Sequence, residues 1–190
     1  MDIDFKQWQY FQSLEDDFIR TLRFVELDSS NLETHSIEFS KLLLLIGAEF
    51  ESVSKELIKT VDPEMKVGDI AEIKGGILTN FKKICKNEVR ISNYKMTIFP
   101  FENWDNGGQL DWWNSYNNLK HNRLKNFENA NLGMTLNAIG GLLIVLVYLY
   151  RYRNEFKHLM TNNDFMATDG MGQNYVVLSN KDIADKIDNN

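Results

Sequence analysis

Apolar residues recur along most of this chain at steps of three and four, the period of a helix with one buried face. Trp8, Phe11, Leu14, Phe18, Leu22 and Val25 predict a first helix over Phe5–Leu27, closed by Asp28-Ser29-Ser30-Asn31. A second helix, Glu33–Val61, carries Ile37, Leu43, Leu44, Ile46, Phe50, Val53 and Leu57 and stops at Asp62-Pro63, because proline ends the hydrogen-bond ladder and restricts the residue before it. A third is expected over Gly68–Lys86, with Ile70, Ile73, Ile77, Phe81 and Ile84 inward and Gly75-Gly76 marking a bend or a close packing contact. The pattern then changes. Val89, Ile91, Tyr94, Met96 and Ile98 suggest extended chain over 88–101, a short hairpin turning at Ser92-Asn93.

Residues 102–108 read as a loop, and Leu110 to about Asn126 as a helix. Asn131 is placed to cap a last long helix running from Leu132 to about Met160, apolar on all sides at its middle, as suits the centre of a bundle. Beyond it, 161–190 reads as an irregular tail, with a turn at Asp169–Gly172 and one short strand at Tyr175–Leu178 that could pair with 88–101. The expected fold is all-α: a bundle of about five helices over 1–160, with a small β-like insertion at 88–109 and a C-terminal tail at 161–190.

Composition narrows the function classes. The chain has 190 residues, 43% hydrophobic and 25% charged, which suits one globular domain with its own core. A lone cysteine, Cys85, excludes an internal disulfide. With an acidic N-terminal segment that lacks the basic-then-apolar pattern of a signal, it makes the cytoplasm the expected compartment. The stretch Ala138–Tyr150 is 13 residues long, against about 20 for a membrane span, so no membrane role is expected. The net charge of −6 argues against a general grip on nucleic acid. It is uneven, however: 1–62 holds 13 acids against six bases, whereas 86–125 holds six bases against four acids. A local basic spot on an acidic body is therefore open.

Asparagine is dense between 103 and 137, with ten in 35 residues. Its side chain competes for backbone hydrogen bonds, so a helix there runs against local propensity. Within this stretch stands Trp112-Trp113-Asn114-Ser115-Tyr116-Asn117-Asn118-Leu119-Lys120-His121-Asn122-Arg123. On a helix, Trp113, Asn117 and His121 share a face, and Tyr116, Lys120 and Arg123 form the adjoining strip. His121 is the candidate general acid/base. Lys120 and Arg123 suit a phosphate, the one as a point charge and the other as a bidentate fork. Asn117 would assist with hydrogen bonds, while Tyr116, Trp113 and Asn118 would receive a base. Together these parts fit attack of a 2′-hydroxyl on its own phosphodiester, which needs proton transfer and charge stabilisation. The plainer reading makes the tryptophans core and the cations a solvated edge.

An all-helical domain with a polar, His-bearing motif ahead of its last long helix resembles the HEPN superfamily. The resemblance covers about residues 5–160 as helix order and Tyr116–Arg123, YNNLKHNR, as a motif. It implies a metal-independent endoribonuclease of a toxin–antitoxin or phage-defence type, or a non-catalytic module that binds a partner protein or nucleotide. It also implies a homodimer whose two motifs face one cleft. The implied partners are RNA or a nucleotide and a cognate antitoxin or other protein. The family's usual Arg, four to six residues before the His, is absent: position 117 is Asn and the nearest upstream Arg is Arg90. Arg123 or Lys120, from either subunit, would then supply the missing charge.

Three further expectations complete the reading. Glu49 on the second helix is a candidate orienting carboxylate for His121, against the plainer alternative of an ordinary ion pair. No metal site and no cofactor are expected: His35, His121 and His158 lie far apart, and the glycines match neither phosphate-loop nor dinucleotide spacing. Gly140-Gly141 reads as a close helix contact, and Arg151, Arg153, Lys157 and His158 as cations complementing a helix C-terminus.

Overall fold

The computed structural model of the chain describes residues 6–91 and 94–153. They form six helices and one two-stranded hairpin: α1 (Lys6–Thr21), α2 (Ile37–Val61), α3 (Ile70–Asn80), β1 (Val89–Ile91), β2 (Met96–Ile98), α4 (Glu102–Asp105), α5 (Asp111–Asn122) and α6 (Leu132–Tyr152). The all-α bundle expected from the sequence is the fold. Five helices carry it, and α4 is a single turn where a loop was expected. The expected extension of α6 to Met160 and the strand at Tyr175–Leu178 lie outside the described residues, as does the Ser92-Asn93 turn.

The middle of the molecule is α6. Every residue from Leu142 to Tyr150 is buried. By length and composition α6 is able to cross a bilayer, yet 89% of its apolar stretch is buried inside the bundle. The length argument from 13 apolar residues was thus too generous, since the helix has 21 residues. What marks α6 as a core helix is that protein covers it. Its main partner is α2, which runs parallel to it. At one end, Ser36 caps α2 by accepting from the Phe39 amide at 3.0 Å, and Asn131 caps α6 by accepting from the Met134 amide at 2.9 Å. At the other end, Arg153 and Glu56 form an ion pair.

The element boundaries show what local pattern leaves out. Thr21 Oγ1 donates back to the Phe18 carbonyl at 2.6 Å, and the next amides bond i→i−3, so α1 ends six residues before Leu27. The α2 helix starts at Ile37 rather than Glu33 because the preceding chain is used elsewhere. The Thr34 and Leu32 carbonyls accept from the Leu132 and Gly133 amides, both at 2.9 Å, and His35 bridges to Asn131. The helix expected over 68–86 divides at Phe81 into α3 and a 3-10 segment, Lys82–Lys86. Its start is fixed by a reciprocal cap between Asp69 and Glu72. Gly76 lets α3 lie against α2, since a Cβ there would sit 2.8 Å from Ile58 Cδ1.

The β1–β2 hairpin is antiparallel, with Val89 opposite Ile98 and Ile91 opposite Met96. It leans on α6 at Gly140, where a Cβ would meet Ile98 Cδ1 at 2.8 Å. Gly141 likewise makes room for Trp112. The close-contact role expected of Gly140-Gly141 is what these neighbours require.

Candidate functional site

The α5 helix has two characters. Its inner side, Trp112, Trp113, Ser115, Tyr116 and Leu119, is buried. Trp112 meets Phe50 edge-on at 4.9 Å and donates its Nε1–H to the Pro100 carbonyl at 3.0 Å. Trp113 stacks obliquely on Tyr116, with ring centroids 4.9 Å apart. Tyr116 lies flat against α2 at Gly47, where any Cβ would stand 2.4 Å from the ring. These contacts run antiparallel: going up α5 from Trp112 to Tyr116 goes down α2 from Phe50 to Gly47. The C-terminal end of α5 therefore lies toward the N-terminus of α2.

The sequence-predicted residues separate accordingly. Trp113 and Tyr116, read as a stacking platform, are 4% and 3% exposed, so neither ring offers a face to a base. Asn117 is half-buried; Asn118, Lys120, His121 and Arg123 are exposed. Lys120 carries its ammonium over the Tyr116 ring, 5.5 Å from the centroid, a cation–π contact that holds the charge at the ridge. Arg123 is the C-cap residue of α5, and with Lys120 and His121 it complements the negative end of the helix dipole. The helix stops at Asn122 because Asn126 folds back, its amide donating to the Asn118 carbonyl at 3.0 Å and the Asn122 carbonyl at 2.9 Å. The asparagine density that disfavours a helix thus serves to end one.

Glu49 does not join this group. It is half-buried on α2, and no ion pair links it to His121, Lys120 or Arg123 among the described residues. Burial, with Glu56 as a like-charged neighbour, holds its carboxyl above the usual range. Glu56 belongs to the opposite end of α2 from the His121 ridge, so the orienting role expected of Glu49 has no contact to carry it.

Two features escaped the sequence reading. Glu56 ties three helices together, accepting from Gln7 of α1 and pairing with Arg153 after α6. Glu15 lines a narrow cleft of about 20 Å³ between α1, β1 and α6, walled by Phe11, Phe18, Val89, Leu136 and Ile139. Burial, and then the Asp16 charge, push its carboxyl up to about 7. A signal for it was present: Glu15 stands four residues after Phe11 and three before Phe18, on the inward face of an amphipathic helix.

No protein family, curated protein or solved structure matches this chain.

Proposed function

We propose that this protein is a HEPN-like helical module that engages RNA at the last turn of α5 and cleaves it without a metal, with His121 as general acid/base. The observation that carries the reading is the exposure of His121 together with both flanking cations, Lys120 and Arg123. An imidazole in water can take the proton of a ribose 2′-hydroxyl. The oxygen then attacks the adjacent phosphorus, the bond to the 5′-oxygen breaks, and that oxygen takes up a proton. The products are a 2′,3′-cyclic phosphate and a 5′-hydroxyl. Arg123 and Lys120 would balance the charge that builds on the phosphate oxygens.

The burial of Trp113 and Tyr116 refines this reading. The strand would be held by its phosphates, so weak sequence preference follows. The HEPN resemblance further implies a homodimer in which the second His121 faces the same cleft, and a toxin or phage-defence setting with a protein partner.

A second reading, a non-catalytic module that docks a partner protein, is favoured by one observation. Leu124, next to the ridge, is 87% exposed, and a large apolar side chain in water suits a protein contact. An RNA-cleavage assay in EDTA separates the two. Under the first reading, His121→Ala lowers cleavage by about 10²–10⁴-fold, and Arg123→Ala lowers it less. Intact RNA with the wild-type protein leaves the docking module.

A further inference from the structure

The end of the bundle away from His121 carries a second concentration of positive charge. The α6 helix starts beside the α2 N-terminus and ends beside Glu56, so its 21 residues separate the two ends by about 30 Å. At the far end, after Phe81, lies the 3-10 segment Lys82–Lys86, which holds Lys82, Lys83 and Lys86 and no acid. In a chain of net charge −6 that is a strong local reversal. Lys82, Lys83 and Lys86 are exposed on the 3-10 turn, and Glu88 is paired with Arg90. The charges of Asp105, Lys74 and Lys86 all act on the buried Cys85.

An aromatic ring accompanies these lysines. Phe81, immediately before Lys82, packs edge-on against Tyr148 at 5.2 Å and Tyr152 at 5.1 Å. Tyr152 is the outer ring of this ladder and is 49% exposed. It meets Phe81 almost at a right angle, and about half of it faces water. A row of exposed cations beside a packed, half-exposed aromatic is the chemistry that recognises a single-stranded nucleic acid: phosphates on the lysines and a base on the ring. Tyr152 has the exposure that Trp113 and Tyr116 lack.

We infer that Lys82, Lys83, Lys86 and Tyr152 form a binding surface for single-stranded nucleic acid, separate from the His121 ridge. The inference does not require His121 to be catalytic. On α2, Ser52, Lys55, Glu56, Lys59 and Thr60 border, with Arg153, an open concavity of about 480 Å³.

Fluorescence anisotropy tests it on the full chain, with a labelled oligothymidylate of about 20 nucleotides, which has no 2′-hydroxyl to be cleaved. An oligouridylate read on a His121→Ala background gives the RNA arm. The wild type binds both strands, or one preferentially, and affinity falls as salt rises. Lys82→Glu/Lys86→Glu weakens binding at least tenfold and lowers the slope of log affinity against log salt by about 1.4, or ~0.7 per lost phosphate contact. Tyr152→Ala weakens it by about 5–100-fold while Tyr152→Phe binds as the wild type does, since stacking needs the ring and not the hydroxyl. Equal binding by the wild type and the double reversal overturns the inference. So does binding lost only with Arg123→Ala, which would assign the strand to the α5 ridge. Phosphatidylserine vesicles bound by the wild type but not by the double reversal, with no strand bound, would make this an anionic-membrane surface and also overturn it. The oligothymidylate arm is uncleavable whatever His121 does, so a failure of the cleavage reading and a failure of this one are told apart.

Discussion

The last turn of α5 and the cleft beside α1 place two ionisable side chains in opposite circumstances. His121 is exposed, as are its sequence neighbours Lys120 and Arg123. Glu15 is set among Phe11, Phe18, Val89 and Leu136, in a space of about 20 Å³ that no substrate could enter. Shifted carboxyls often mark active sites, but that inference needs room for a reacting molecule. Here the shift is a cost of folding, and the group able to meet a ligand is the exposed one. Accessibility and a shifted pKa are separate requirements, and Glu15 meets only the second.

The contrast can be broken most forcefully from the apolar side. Phe18 is 1% exposed and walls the cleft, so Phe18→Ala should cost about 3–5 kcal/mol in urea unfolding. It would also admit water to Glu15, flattening the pH dependence described next. Since the folded-state value of Glu15 is about 7 and its ordinary value is 4.5, the native state binds its proton more tightly than the unfolded chain does. Its contribution is therefore intact below pH 4.5 and is lost as pH rises through 7. Glu15→Gln removes that loss: a gain of about 2 kcal/mol at pH 8, discounted for partial exposure, and almost none at pH 4.

On the α5 side, Gly47→Ala drives a methyl into the Tyr116 ring and should cost about 1–3 kcal/mol, with the ridge displaced along with the ring. The smallest effect is the most telling. His121→Ala should change unfolding free energy by less than about 0.5 kcal/mol. A larger loss would mean that the imidazole is part of the packing and would remove the contrast.

How far the sequence could be read differs between fold and site for a physical reason. Signals carried by a residue and its near neighbours were legible: Asp62-Pro63 ends α2, Asn131 caps α6, and alternation at Val89–Ile98 makes a hairpin. The start of α2 was not, because its preceding residues pair with 130–133, some hundred positions away. In the site, helical spacing correctly put Trp113, Asn117 and His121 on one strip. It could not say that the strip climbs out of the core, from buried to half-buried to exposed over two turns. The depth of a helix end depends on what lies beside it, and for α5 that is decided at Gly47, a residue with no side chain to announce the contact.

The parallel seating of α6 on α2 bears on how the chain is made. During translation the apolar faces of α1, α2, α3 and α5 emerge before the helix that covers them has been synthesised. At about 5–20 residues per second, the roughly 70 residues between the end of α2 and the start of α6 keep the α2 face waiting for several seconds. A nascent chain of this protein should therefore expose apolar surface until residues 132–152 have cleared the ribosome. A fragment ending before Leu132 should be insoluble rather than partly folded.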